Sequence, residues 1–208
     1  NDGSIPTAAA SADVILSGDA GGGYQFGFSI ATGDFNSDGR TDLVIGANAY
    51  GNATGRVYIF YNDGSYPAGA TTADVTITGN AVGDSFGYSL VSGDWNADGR
   101  TDLAVGAYSY STSTGRTYVF YNDGSIPTTA ATADVTLTGE AITTAFGVSL
   151  TAGDFNSDGK VDLAVGATGY STSKGRVYVY TFGNEPVIRG ETTNDYFGYT
   201  RVRGDFSS

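Results

Sequence analysis

The chain has 208 residues, with 32 Gly, 15 Tyr and 11 Phe and no Cys, Met or His. That length is enough for one sizeable core, and the missing Cys excludes disulfides and thiolate metal sites. With 10 Lys+Arg against 22 Asp+Glu, a net charge of −12, a phosphate-tracking surface is excluded and nucleic acid is not an expected partner. No run of about 18 apolar residues suggests a membrane span. The missing initiator Met and the missing secretory apolar region read as a processed chain whose signal peptide has already been removed.

The first elements in chain order are an NDGSIP turn at Asn1 and a short β-like run, Asp13–Leu16. FGFSIATGD follows from Phe26 and runs into the loop Asp34–Asp42, DFNSDGRTD. DLVIGA from Asp42, GRVYIFYN from Gly55, NDGSYP from Asn62 and TADVTITG from Thr72 complete a unit. The series then repeats, with FGYSLVSGD from Phe86, DWNADGRTD at Asp94–Asp102, and later FGVSLTAGD from Phe146 and DFNSDGKVD at Asp154–Asp162. Asp34, Asp94 and Asp154 are 60 residues apart each time. A period in this range points to a solenoid or propeller.

In the second unit the predicted strands are Phe86–Ser92, Asp102–Ala107, Arg116–Tyr121 and Asp134–Thr138. Val105, Val119 and Phe120 suit pleated, half-buried positions, and Gly93, Gly106 and Gly115 mark tight turns or close strand approach. No segment sustains a 3.6-residue period, so almost no helix is expected. The fold class is therefore all-β, with propeller blades of four antiparallel strands. Pro186–Arg189 is expected to close the third set. A lone first-type strand, Tyr199–Gly204, then leads into the start of another Asp loop at Asp205. The units are approximately 1–25 (partial), 26–85, 86–145, 146–196 and 197–208 (partial), in one domain. About three complete blades plus stray terminal strands cannot close a ring. The chain is expected to be part of a longer propeller or to be completed by neighbouring chains.

The three loops carry the chemistry. A hard dication takes six to eight oxygens at about 2.3–2.6 Å. Side chains at positions 1, 3, 5 and 9 supply oxygens here: Asp34, Asn36, Asp38 and Asp42 in the first loop, then Asp94, Asn96, Asp98 and Asp102, then Asp154, Asn156, Asp158 and Asp162. Position 7 offers a backbone carbonyl, from Arg40, Arg100 or Lys160. Gly39, Gly99 and Gly159 permit the bend that turns it inward. An all-oxygen set without His or Cys favours Ca²⁺ over Zn²⁺ or a redox metal, so about three Ca²⁺ are expected. An EF-hand needs a Glu at position 12, where this chain has Ile45, Val105 or Val165, so each loop ends in a strand. The competing reading is an Asn/Asp/Gly turn without metal; it would hold three carboxylates in mutual repulsion. Nine of the 22 acidic residues lie in these loops.

Asn52-Ala53-Thr54 is an N-glycosylation sequon in a loop between second- and third-type strands. Tyr50, Tyr108, Tyr110 and Tyr170 follow the second-type strands; packing between blades is expected of them, with stacking on sugars as the alternative. The recurring Arg56, Arg116 and Arg176 are expected in structural ion pairs beside the acidic loops. The NDG triplets at Asn1, Asn62 and Asn122 suit tight turns. No His or Cys is present and Glu is scarce, so an enzyme is not expected.

This combination resembles the FG-GAP repeat family, the β-propeller of integrin alpha subunits and of many bacterial and archaeal surface proteins. Its FG elements appear as Phe26-Gly27, Phe86-Gly87, Phe146-Gly147 and Phe197-Gly198. Its GAP elements appear as Gly46-Ala47-Asn48, Gly106-Ala107-Tyr108 and Gly166-Ala167-Thr168, with Pro replaced each time. The resemblance implies Ca²⁺ in these loops, on one face of the propeller, between the first and second strands of each blade. A calcium-binding module outside the cell or at its surface is expected, serving adhesion or assembly with a protein or glycan partner. The alternatives are a self-assembling filament subunit and a carbohydrate-binding module.

Overall fold

The computed structural model describes residues 8–67 and 69–182. Eleven strands form three antiparallel sheets among the described residues. The first sheet holds β1 (Ser29–Gly33), β2 (Asp42–Ala47), β3 (Arg56–Phe60) and β4 (Val75–Thr78) in that order. The second repeats it with β5 (Ser89–Gly93), β6 (Asp102–Ala107), β7 (Arg116–Phe120) and β8 (Val135–Thr138). The third holds β9 (Phe146–Gly153), β10 (Asp162–Ala167) and β11 (Arg176–Tyr180). These are propeller blades, with the first-type strands β1, β5 and β9 packed side by side.

The registers repeat as well. Gly33 pairs with Asp42, Gly93 with Asp102 and Gly153 with Asp162, so each Asp loop closes the hairpin between first and second strands. Ala47 pairs with Arg56, Ala107 with Arg116 and Ala167 with Arg176, which puts the arginines at the opposite end of each blade. The acidic loops therefore lie on one rim and the arginines on the other.

The alternation within each strand loads both faces of the middle sheet. Val44, Val57, Ile59 and Ile77 of the first sheet share a core with Leu103, Val105, Tyr118 and Phe120 of the second. Ala104 and Val119, on the second sheet's other face, pack with Leu163, Val165 and Ala167 of the third. Inter-sheet burial of this kind is what a lone four-stranded blade cannot supply.

The FG-GAP signature has a steric cause. The Gly106 carbonyl accepts the N–H groups of Gly87 and Tyr88 in its own blade, while a Cβ on Gly106 would meet the Gly147 oxygen of the next. Gly87 itself has φ +86°, the left-handed region that glycine enters without penalty. The Ser89 hydroxyl donates to the same Gly147 oxygen at 2.6 Å, as Ser29 does to Gly87 at 2.7 Å. Two glycines and a serine thus let adjoining blades touch through backbone.

Several expectations need correction. Asp13–Leu16 is not a strand; Ser17 makes only an isolated parallel bridge to Gly69. A fourth-type strand pairs with a third-type strand, and none precedes it among the described residues. The predicted strand Phe86–Ser92 begins its ladder only at Ser89, because Ser85 and Gly87 adopt positive φ. Helix is confined to short turns, and those at Tyr50–Ala53, Tyr110–Ser113 and Tyr170–Ser173 contain left-handed residues. The left-handed form costs a non-glycine residue about 1–2 kcal/mol. In the first two turns the neighbouring blade uses the exposed carbonyls: Ser85 N–H donates to Ala53 O at 2.8 Å, and Ala145 N–H to Ser113 O at 2.7 Å. The strands expected at Pro186–Arg189 and Tyr199–Gly204, the Phe197-Gly198 element and the Asn1 turn lie outside the described residues.

Candidate metal centres

The three Asp loops fold alike. In the first, Asp34 Oδ1 and Oδ2 accept the N–H groups of Asp38 and Gly39 at 3.1 and 2.9 Å. Asn36 Oδ1 accepts Asp38 N–H at 3.1 Å, and Asp38 Oδ1 accepts Arg40 N–H at 2.8 Å. Asn36 Nδ2 donates to Asp38 Oδ2 at 3.1 Å. The same five bonds hold Asp94, Asn96 and Asp98, and Asp154, Asn156 and Asp158. Ser37, Ala97 and Ser157 join the position-6 glycines at positive φ. This curls each loop so that its N–H groups aim inward at side-chain oxygens.

Position 9 is built differently. Asp42, Asp102 and Asp162 are fully buried. Asp42 Oδ2 accepts Phe35 N–H at 2.7 Å and Oδ1 accepts Asn62 N–H at 2.8 Å. Asp102 does the same with Trp95 and Asn122, both at 2.9 Å, and Asp162 with Phe155 and Phe182 at 2.9 and 3.3 Å. Each clamps its own loop to the turn that follows the third strand. Burial pushes the Asp102 carboxyl up; the N–H groups of Asn122, Trp95 and Asn96 oppose this, and the Asp98 charge adds to it.

Among the described residues no three acidic side chains converge into a ready cluster. The donor set nevertheless fits a hard cation. Every side-chain donor is oxygen, and a carboxylate has about four acceptor positions, so the N–H bonds leave room for a metal. At position 7 the Arg40 guanidinium donates to Asn62 O at 3.3 Å, so this side chain also braces the following turn.

The opposite rim is aromatic and cationic. The guanidinium groups of Arg56, Arg116 and Arg176 each lie 3.6 Å from the ring centroid of Tyr50, Tyr110 and Tyr170. Arg56 pairs with Asp19 at 3.9 Å and Arg176 with Glu140 at 3.2 Å. The ion pairs thus form away from the Asp loops, because the strand register puts each Arg at the far end of its blade. Tyr58 donates to Asp19 at 2.8 Å, and burial first, then that carboxylate, pushes its phenol well above the usual range. Tyr108 packs against Tyr88 of its own blade, with tilted rings whose centroids are 4.2 Å apart. These four tyrosines therefore pack mainly within blades; rings meet across blades at Phe28 and Tyr88, 4.7 Å apart, and at Trp95 and Phe182, 6.4 Å apart. Asn52 lies exposed in the first left-handed turn, in the predicted connection.

Asn122 was legible only as a turn residue. Its side chain is buried, and Nδ2 donates 2.8 Å to Phe35 O, a residue of the first Asp loop 87 positions away. An NDG triplet signals the turn but not this reach.

The FG-GAP repeat model matches residues 26–60, 86–120 and 146–180, together half of the chain. Integrin alpha-PS2 of Drosophila melanogaster is 34% identical over 77% of this chain and 12% of the relative. Integrin alpha-4 of Xenopus laevis is 33% identical over 85% of this chain and 17% of the relative. Phosphatidylinositol-glycan-specific phospholipase D of Homo sapiens is 30% identical over 85% of this chain and 24% of the relative. The chain thus spans a quarter or less of the length of these relatives. Each matched segment runs from an FG element through an Asp loop to the end of the third strand, the part in which the three blades agree most closely. The chain belongs to the FG-GAP repeat family.

Proposed function

We propose that this chain is a calcium-stapled propeller module that works in adhesion or assembly outside the cell or at its surface, without catalysis of its own. The observation that carries the reading is the triple recurrence of one loop geometry. Asp34, Asn36, Asp38, Asp42 and the Arg40 carbonyl would hold the first ion. Asp94, Asn96, Asp98, Asp102 and the Arg100 carbonyl would hold the second, and Asp154, Asn156, Asp158, Asp162 and the Lys160 carbonyl the third. A bound dication would supply positive charge where the carboxylates repel one another. Ions that bind the folded state alone stabilise it, by about 2.7 kcal/mol each at a hundredfold excess over Kd. The likeness to integrin alpha subunits supports a protein partner at the cell surface. No helix among the described residues is long and apolar enough to cross a membrane.

Asp98→Ala tests the reading. It should remove one calcium of three in a calorimetric titration. It should also lower stability by about 2–3 kcal/mol in calcium and hardly at all in excess chelator. Equal losses in both conditions would refute the metal role of that loop.

A second reading, self-assembly, is favoured by the third sheet. At the third blade, the last among the described residues, Val177 of the sheet and Phe155 of the Asp loop are 65% and 50% exposed, whereas their equivalents Val57 and Phe35 in the first blade are 0% and 3% exposed. Covering this face with a neighbouring chain would give a sedimentation mass above that of the 21.3 kDa monomer, reduced by Val177→Asp. A monomer at all concentrations would exclude it. The tyrosines offer less support for a carbohydrate module, since one ring face of Tyr50, Tyr110 and Tyr170 is covered by Arg.

A further inference from the structure

We propose that Asn122 couples the first two cation loops, so that filling either one tightens the other. This rests on the calcium reading above. Asn122 stands between two candidate ligand sets. Its backbone N–H donates to Asp102 Oδ1, position 9 of the second loop, at 2.9 Å. Its side-chain Nδ2 donates to Phe35 O at 2.8 Å, between Asp34 and Asn36 of the first loop. Phe35 N–H in turn donates to Asp42 Oδ2, position 9 of the first loop, at 2.7 Å. Asp102, Asn122, Phe35 and Asp42 thus form one hydrogen-bonded line, and all four are buried. A cation that fixes Asp102 fixes the Asn122 turn, and through its amide the peptide between Phe35 and Asn36. The ordering cost of the first loop is then partly met before its own ion arrives, which is positive coupling, and coupling between two sites is reciprocal.

The repeats provide their own controls. Asn62 makes the same backbone bond, to Asp42 Oδ1, and accepts Gly64 N–H at 3.3 Å as Asn122 accepts Gly124 N–H at 3.3 Å. Among the described residues its side chain makes only that turn bond. Replacing either Asn by Ala therefore removes the same local contact, and only the change at 122 cuts the bridge. At the third repeat the equivalent residue is Phe182, whose ring lies 6.4 Å from that of Trp95. The second and third loops are therefore joined by an apolar contact without this amide. Ser92 Oγ donates to Thr32 O at 2.6 Å without involving Asn122, so this link between the first two blades is not removed when Asn122 is changed.

The experiment is a calcium titration of the ¹⁵N-labelled chain, read at the amide signals of Gly39, Gly99 and Gly159, one in each loop. In the parent protein, disabling the second loop with Asp98→Ala should raise the calcium midpoint at Gly39 about fivefold or more. In an Asn122→Ala background the same disabling change should move that midpoint by less than about twofold, while Asn62→Ala should behave as the parent. Asn122→Leu keeps the branched shape of the side chain without its amide and serves if the Ala variant does not fold. Two results overturn the coupling while leaving calcium binding intact: independent filling of the loops in the parent, or a Gly39 shift that persists without Asn122. No response at any of the three glycines overturns both readings.

Discussion

Phe86→Ala is expected to destabilise the fold by about 3–5 kcal/mol, the range for emptying a well-packed aromatic site. Phe86 is the FG phenylalanine of the second repeat and is completely buried. It sits in the core that joins the first two sheets. Its ring meets Tyr118 and Phe120 edge-on at 5.5 and 6.3 Å, geometries that favour an aromatic pair beyond the area it buries. Its backbone is fixed too, since a Cβ on Gly55 of the first blade would meet the Phe86 oxygen. A site locked in this way cannot collapse after truncation, so the high end of the range applies. Guanidinium unfolding at constant free calcium measures the effect. A loss under about 1 kcal/mol would mean that the ring is not the wedge between the sheets.

Gly106→Ala is expected to cost about 3 kcal/mol or more, beyond the usual range for overpacking. The new methyl would lie 2.1 Å from Gly147 O and 2.2 Å from Ser89 Oγ. A side chain can turn away, but the Gly147 oxygen belongs to backbone that Ser89 already anchors. Relief therefore requires the second and third blades to separate. Gly153→Ala is the comparison, because its nearest neighbours are Phe155 ring atoms at 3.5 and 3.6 Å, an ordinary contact distance. Its denaturation midpoint should stay near that of the parent. Equal midpoints for the two variants would show that the blades do not need the glycine contact.

Periodicity alone determined much of this protein. The 60-residue repeat and the short apolar runs bounded by glycine, such as Asp102–Ala107, led to antiparallel four-stranded units, since β-branched and aromatic runs between turn residues read as strands. That the three Asp loops would fold alike was equally legible, because the same residue types recur at the same positions and make the same turn hydrogen bonds.

What sequence could not decide depends on neighbours in space. Asp13–Leu16 has the composition of a strand, yet a ladder needs a partner, and composition does not say whether one is present. Arg56 is close to an acidic loop in sequence, but strand register carries it to the other rim, to Tyr50 and Asp19. The long reach of Asn122 to Phe35 likewise exists only because two blades pack at a fixed offset. Local pattern fixed the strands and loops. Packing between sheets decided which residues meet across them, because those contacts join positions that no local spacing relates.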